Sequence, residues 1–146
     1  MSDYQYDYLV LGGGSGGLAS AKRAASYGAK VGLIEAGRVG GTCVIRGCIP
    51  KKLMVYAAHA REWLELAEDF GWSKGEHTLS WEDLTEMRNN VVRRLEGIHE
   101  RNLRNANVEL IRGFAKFIDP HHIDVEGRTL SADKILIATG AAPVMP

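Results

Sequence analysis

The 146-residue chain reads as an α/β protein: a parallel sheet covered by helices, with a small antiparallel meander. Three observations lead there. An apolar run stopped by glycines is followed by an alanine-rich stretch and a second apolar run, the strand, turn, helix, strand order of a βαβ unit. Two later stretches repeat apolar residues every three or four positions, as helices do. Near the end, short runs separated by turn dipeptides read as antiparallel strands.

The elements follow in order. Tyr8 to Leu11 reads as a buried parallel strand, and Gly12 to Gly17 as the turn after it. Leu18 to Tyr27 continues as a helix ended by Gly28, and Lys30 to Ile34 is the second strand, closing at Glu35. Leu53, Ala57, Ala60, Leu64 and Ala67 recur at helical spacing up to Phe70. After a polar break from Gly71 to Thr78, Ser80 is placed to cap a long helix, with Asp83 three residues on. Leu84, Met87, Val91, Leu95 and Ile98 mark one face of that helix, which ends near Asn105. Core packing is the expected role of both apolar stripes. Val108 to Arg112 reads as a strand, and Phe114 to Leu130 as short strands turned at Asp119-Pro120 and Glu126-Gly127. Lys134 to Ile137 reads as a buried strand running into Ala138-Thr139-Gly140. The chain stops at Pro146 in a loop, an ending that reads as a truncation.

Composition bounds the function. Apolar residues make up 45% and charged residues 25%, as in a globular protein of one domain. Eighteen basic residues balance eighteen acidic ones, so net charge gives no argument for nucleic acid or an anionic membrane as partner. Met1 to Asp7 carries acids and tyrosines rather than a basic segment before an apolar one, which argues against a secretory signal. No apolar run approaches the roughly 20 residues of a bilayer span. A cytoplasmic location is the expectation.

Gly12-Gly13-Gly14-Ser15-Gly16-Gly17 satisfies G-x-G-x-x-G through Gly12, Gly14 and Gly17. That pattern uses one glycine for the tight turn, one for the approach of a pyrophosphate and one for close helix–strand packing. Amides at the helix start then face the phosphates, aided by the helix dipole. Alone the glycines are weak evidence. Here they join two strands, and Glu35 stands 18 residues past Gly17, where a carboxylate accepts hydrogen bonds from ribose hydroxyls and disfavours a 2′-phosphate. The segment reads as a Rossmann-like dinucleotide site.

Cys43 and Cys48 are the only cysteines, in Gly-Gly-Thr-Cys-Val-Ile-Arg-Gly-Cys-Ile-Pro-Lys-Lys, Gly40 to Lys52. A stable structural disulfide is unusual in a reducing compartment, so the pair is free thiols, metal ligands or a redox couple. Two cysteines without a neighbouring histidine fall short of a four-ligand metal site. In regular helix, residues five apart are about 7.5 Å apart along the axis, whereas a disulfide wants Cα atoms about 4.4 to 6.8 Å apart. The segment therefore departs from regular helix, which Gly47 permits, and Pro50 suits the first turn of the helix that follows. Cys48 then lies near a helix N-terminus with Lys51 and Lys52 behind it, both favourable to a thiolate. His59, His77 and His121-His122 fit no metal spacing and read as surface or turn residues.

The Gly40 to Lys52 segment resembles the redox-active segment of the flavoprotein disulfide reductases, within them most closely that of glutathione reductases. The similarity runs from Tyr6 through Ala138-Thr139-Gly140 and implies that residues 1–146 are the N-terminal portion of the family's FAD-binding domain. By this resemblance Cys43 is the interchange thiol that attacks the substrate disulfide, Cys48 the thiol facing the flavin, and Lys51 the lysine beside flavin N5. Gly12, Gly14, Ser15, Gly16, Gly17, Glu35, Thr42, Cys43, Lys51 and Ala115 match positions that line FAD, with Thr139 and Gly140 as further candidates. Lysine after Pro50, where lipoamide dehydrogenases and mercuric reductases carry serine, favours glutathione disulfide as substrate. Thioredoxin and trypanothione reductases share that lysine and stay open, as does a non-catalytic nucleotide-binding module with inert thiols. Lys22 stands where some glutathione reductases present an arginine to glutathione, and His99 where a tyrosine is usual; both are candidate substrate contacts. The resemblance further implies NADPH as electron donor, a homodimeric full-length enzyme, and NADPH and dimerisation domains outside this chain. It follows that the chain alone is expected not to turn over NADPH and disulfide.

Overall fold

The computed structural model describes residues 3–73 and 75–144. Its elements are β1 (Tyr6–Leu11), α1 (Ser15–Ala25), β2 (Val31–Glu35), α2 (Gly41–Ile45), α3 (Cys48–Leu66), a 3-10 turn (Ala67–Phe70), α4 (Trp81–Asn105), β3 (Glu109–Arg112), β4 (Ala115–Asp119), β5 (His122–Val125) and β6 (Arg128–Ile137). The six strands are ordered β3-β2-β1-β6-β5-β4. β1 pairs in parallel with β2 and β6, and β2 with β3, whereas β4, β5 and the start of β6 pair antiparallel. The α/β architecture with a small meander is the one expected.

Side-chain alternation along the strands explains the layers. Val10, Val31 and Leu33 pack on one side with Leu18 and Ala21 of α1 and Leu103 of α4. Leu9, Leu11 and Ile34 point the other way and meet Ile123, Val125 and Leu130 of the antiparallel strands. A helical layer thus covers one face of the parallel strands and the meander covers the other.

α1 starts inside the glycine turn, at Ser15, three residues before the point expected from its apolar residues. Ser80 caps α4 as expected, its Oγ accepting the Asp83 N–H at 3.2 Å. The turns at Asp119-Pro120 and Glu126-Gly127 are present, with Glu126 and Gly127 both at positive φ (51° and 87°) as a two-residue hairpin of this hand requires. The polar break from Gly71 to Thr78 contains Lys74, which lies outside the described residues.

Two expectations need correction. Lys134 to Ile137 is not a separate buried strand. It is the end of the ten-residue β6, which starts in the meander and finishes beside β1; Ile135 and Leu136 are half-buried against the two core clusters, whereas Lys134 and Ile137 are exposed. The apolar stripe of α3 is not core. None of its residues is buried, since its neighbours are chiefly α2, α4 and the 3-10 turn rather than the sheet. α4 is intermediate: Leu84, Val92 and Leu103 are buried, whereas Met87 is 42% exposed.

Candidate functional site

An open cleft of about 550 Å³ lies at the C-terminal ends of β1 and β2, where ligands bind in open α/β sheets. Three segments build its walls. Gly12, Gly14 and Ser15 form the first, Thr42 and Cys43 of α2 the second, and Thr139 and Gly140 beyond β6 the third. Glu35 closes the end of β2.

The turn is shaped by contact. A methyl carbon on Gly17 would stand 1.8 Å from the Gly12 carbonyl oxygen, and one on Gly12 would stand 2.4 Å from that of Ala138. Gly17 therefore seats α1 against the turn, and Gly12 lets β1 pass β6. Gly14 has no such protein constraint: the nearest atom to an added carbon is 3.6 Å away, which leaves room on that side for a ligand. Glu35 organises the turn, its two carboxylate oxygens accepting the N–H groups of Gly13 at 2.6 Å and Gly37 at 2.7 Å. Each oxygen keeps a lone pair for a second donor.

The cysteine segment is docked onto this turn. Gly40 N–H donates to the Gly13 carbonyl at 2.8 Å. Gly41, at φ +62°, lies so close that a side chain on it would stand 2.6 Å from the Gly14 Cα. Val44 is buried beneath and fixes α2 from inside. α2 ends at Ile45, Arg46 and Gly47 break the helix, and α3 starts afresh at Cys48 with Pro50 in its first turn. The departure from regular helix is the one expected. A side chain on Gly47 would meet the Thr42 carbonyl at 2.7 Å, so Gly47 is what lets the two cysteines turn toward each other.

Both cysteines are free thiols, Cys43 half-buried and Cys48 exposed. The Cys48 side chain, as a hydrogen-bonding neighbour, holds the Cys43 thiol above its ordinary range, with some desolvation in the same sense; the Cys48 backbone N–H opposes the shift more weakly. Removing the proton from Cys43 would set a negative sulfur against its neighbour, which is why the shift is upward. No cluster of His, Cys, Asp or Glu among the described residues could hold a metal ion.

The expected site residues divide into two groups. The cleft gathers Gly12, Gly14, Ser15, Glu35, Thr42, Cys43, Thr139 and Gly140. Gly16 and Gly17 lie in α1 outside the cleft's lining, as does Cys48 at the start of α3, beside Cys43; Lys51 is exposed in the first turn of α3. Ala115 lines an adjoining cavity of about 220 Å³ that shares Gly12, Glu35 and Thr139 with the cleft. Lys22, in the last turn of α1, and His99, in α4, do not line the cleft; His99 Nδ1 is buried without a hydrogen-bond partner among the described residues. Arg38, Gly41 and Arg46 line the cleft although the sequence reading assigned them no role. For Gly41 the signal was the adjacent pair Gly40-Gly41; for Arg38 it was a cation three residues past Glu35.

No helix of the described residues is long and apolar enough to cross a membrane. The chain is 52% identical over 143 residues to a glutathione reductase of Nostoc sp., covering 98% of this chain and 31% of that protein. It is 47% identical over 146 residues to a glutathione reductase of Burkholderia cepacia, covering 100% of this chain and 32% of that protein. The chain thus spans about a third of the length of these curated relatives. Residues 6–146 match the pyridine nucleotide-disulphide oxidoreductase family, and the chain with its glycine turn and adjoining cysteines belongs to that family.

Proposed function

We propose that this chain is the FAD-binding, redox-active part of an NADPH-dependent reductase of glutathione disulfide. The observation that carries the reading is a dithiol mounted on the wall of a nucleotide cleft, with Gly40 and Gly41 bonded and packed directly onto the glycine turn. The names of the two relatives support glutathione disulfide as substrate and, through it, a role in thiol redox balance.

The residues present fit FAD. Gly12 to Gly17 offers amides and open space to a pyrophosphate, and Glu35 has free lone pairs for ribose hydroxyls. Thr42, Cys43, Thr139 and Gly140 line the same cleft, and by the family resemblance Ala115 and Lys51 belong to the flavin's surroundings. When bound, FAD supplies the two-electron carrier between NADPH, held elsewhere in the longer family chain, and the cysteine pair.

The chain's own chemistry is thiol–disulfide exchange. Cys43, as thiolate, attacks one sulfur of the substrate disulfide, forms a mixed disulfide and releases one glutathione. Cys48 then attacks the Cys43 sulfur and releases the second glutathione. The Cys43–Cys48 bond closes, and two electrons have left the dithiol to reduce one S–S bond to two thiols. The α3 N-terminus and Lys51 favour the negative charge that passes between the sulfurs. Lys22 supplies charge without the bidentate fork of an arginine, and His99 offers one ring nitrogen to a peptide. The full-length enzyme acts as a homodimer in this reading.

Mixing reduced chain with oxidised glutathione tests it by mass spectrometry. Wild type should close Cys43–Cys48 and release two glutathiones per chain, Cys48→Ser should stop as a mixed disulfide on Cys43, and Cys43→Ser should react much more slowly. Equal trapping on either single variant, or no reaction of wild type, contradicts the proposal and leaves a nucleotide-binding module with inert thiols.

A further inference from the structure

We infer that Arg38 is a binding residue for the adenine of the nucleotide, its guanidinium plane set by Glu96 as a surface on which the purine stacks. The inference rests on the nucleotide reading of the cleft and adds a recognition element to it. Arg38 lines the cleft together with Gly12, Gly14 and Glu35. It stands three residues past the acid proposed to receive ribose hydroxyls. What belongs one step beyond that ribose is an aromatic base.

The side chain is prepared for such a role. Arg38 Nε and Nη2 donate to the same Glu96 oxygen at 2.9 and 2.7 Å, which fixes the guanidinium from the α4 side. Its side chain is still 47% exposed, whereas that of Glu96 is 18% exposed. Glu35 does not compete for it, because the hydrogen bonds of that carboxylate go to Gly13 and Gly37.

Tethering the loop is not a sufficient reason for this arrangement. Arg112 already ties the same loop to α4, donating through Nη1 to the Gly37 carbonyl at 2.6 Å and through Nη2 to Glu100, one turn after Glu96. An ion pair this exposed adds little stability of its own. A flat, weakly hydrated cation with an open face stacks on aromatic rings, which a lysine in its place would not do equally well.

Calorimetric titration of this chain with ADP tests the inference. Arg38→Ala should weaken ADP binding about tenfold, Arg38→Lys nearly as much, and Glu96→Gln by a smaller factor. The ratio between wild type and Arg38→Ala should be the same at low and high salt, because stacking is screened less than an ion pair to phosphate. Unchanged ADP affinity in Arg38→Ala, full retention by Arg38→Lys, or a ratio that collapses in high salt overturns the Arg38 assignment while leaving the cleft a nucleotide site. If wild type takes up neither ADP nor FAD, the nucleotide reading fails and this inference falls with it.

Discussion

Helices α1 and α3 both start at the cleft from a glycine, and their support differs. α1 grows from the dinucleotide turn and buries Gly17, Leu18 and Ala21 against β1 and β2. α3 grows from the cysteine segment and buries nothing over nineteen residues, with Trp63 67% exposed along it. The glycine-turn end of the cleft is thus built into the core, whereas the thiol end is held by α2, by Val44 and by two glycine contacts to the turn. Under the proposed function, the contrast separates a part that is rigid to present amides from a part whose sulfurs exchange bonds.

Substitutions test that contrast, beginning with the largest effect. Gly17→Val should cost about 3 kcal/mol or more in urea unfolding and abolish nucleotide uptake, because the side chain has no room beside Gly12 and Val10. Leu18→Ala, at a buried position, should cost about 2 to 4 kcal/mol. Leu64→Ala on α3, 42% exposed, should cost less than about 0.5 kcal/mol by the same measurement. Comparable losses at Leu18 and Leu64 would erase the distinction between the helices.

A smaller effect is expected at the sheet. Tyr6 is buried, and its hydroxyl donates to Glu109 at 2.7 Å. Burial first, and that hydrogen bond second, raise its pKa from 10.0 to about 12. A raised folded-state pKa means that the Tyr6 contribution is complete below pH 10.0 and is lost as pH climbs through about 12. Tyr6→Phe should cost about 1 kcal/mol at neutral pH, and its gap to wild type should narrow over that alkaline interval, as thermal melts across pH would record.

The thiols give the subtlest readout. Cys48→Ala removes the hydrogen bond that holds Cys43 protonated, so alkylation of Cys43 by iodoacetamide should reach half its maximal rate at lower pH than in wild type. A profile that stays in place would deny the coupling between the sulfurs.

Much of this was legible in the residues. The glycine spacing, Glu35 and the strand order located the glycine-turn half of the cleft, because backbone constraints of this kind leave a local trace. Gly47 and Pro50 likewise marked the broken helix between the cysteines. The burial of α3 was not legible: Leu53, Ala57 and Leu64 show the same periodicity whether a sheet, another helix or solvent faces them. Nor was the continuity of β6, since a strand that leaves a meander and joins a parallel sheet changes partners without changing its local pattern. Arg38 escaped notice because its partner Glu96 lies 58 residues away and becomes visible only once α4 packs beside the loop.

Protection of Cys43 by the nucleotide tests most directly whether cofactor and sulfur share one wall. Saturating FAD should slow iodoacetamide labelling of Cys43 at least about tenfold, since Cys43 lines the cleft that FAD would fill, while a denatured sample labels at the same rate with or without it. FAD that binds tightly and leaves the Cys43 labelling rate unchanged would contradict the shared wall.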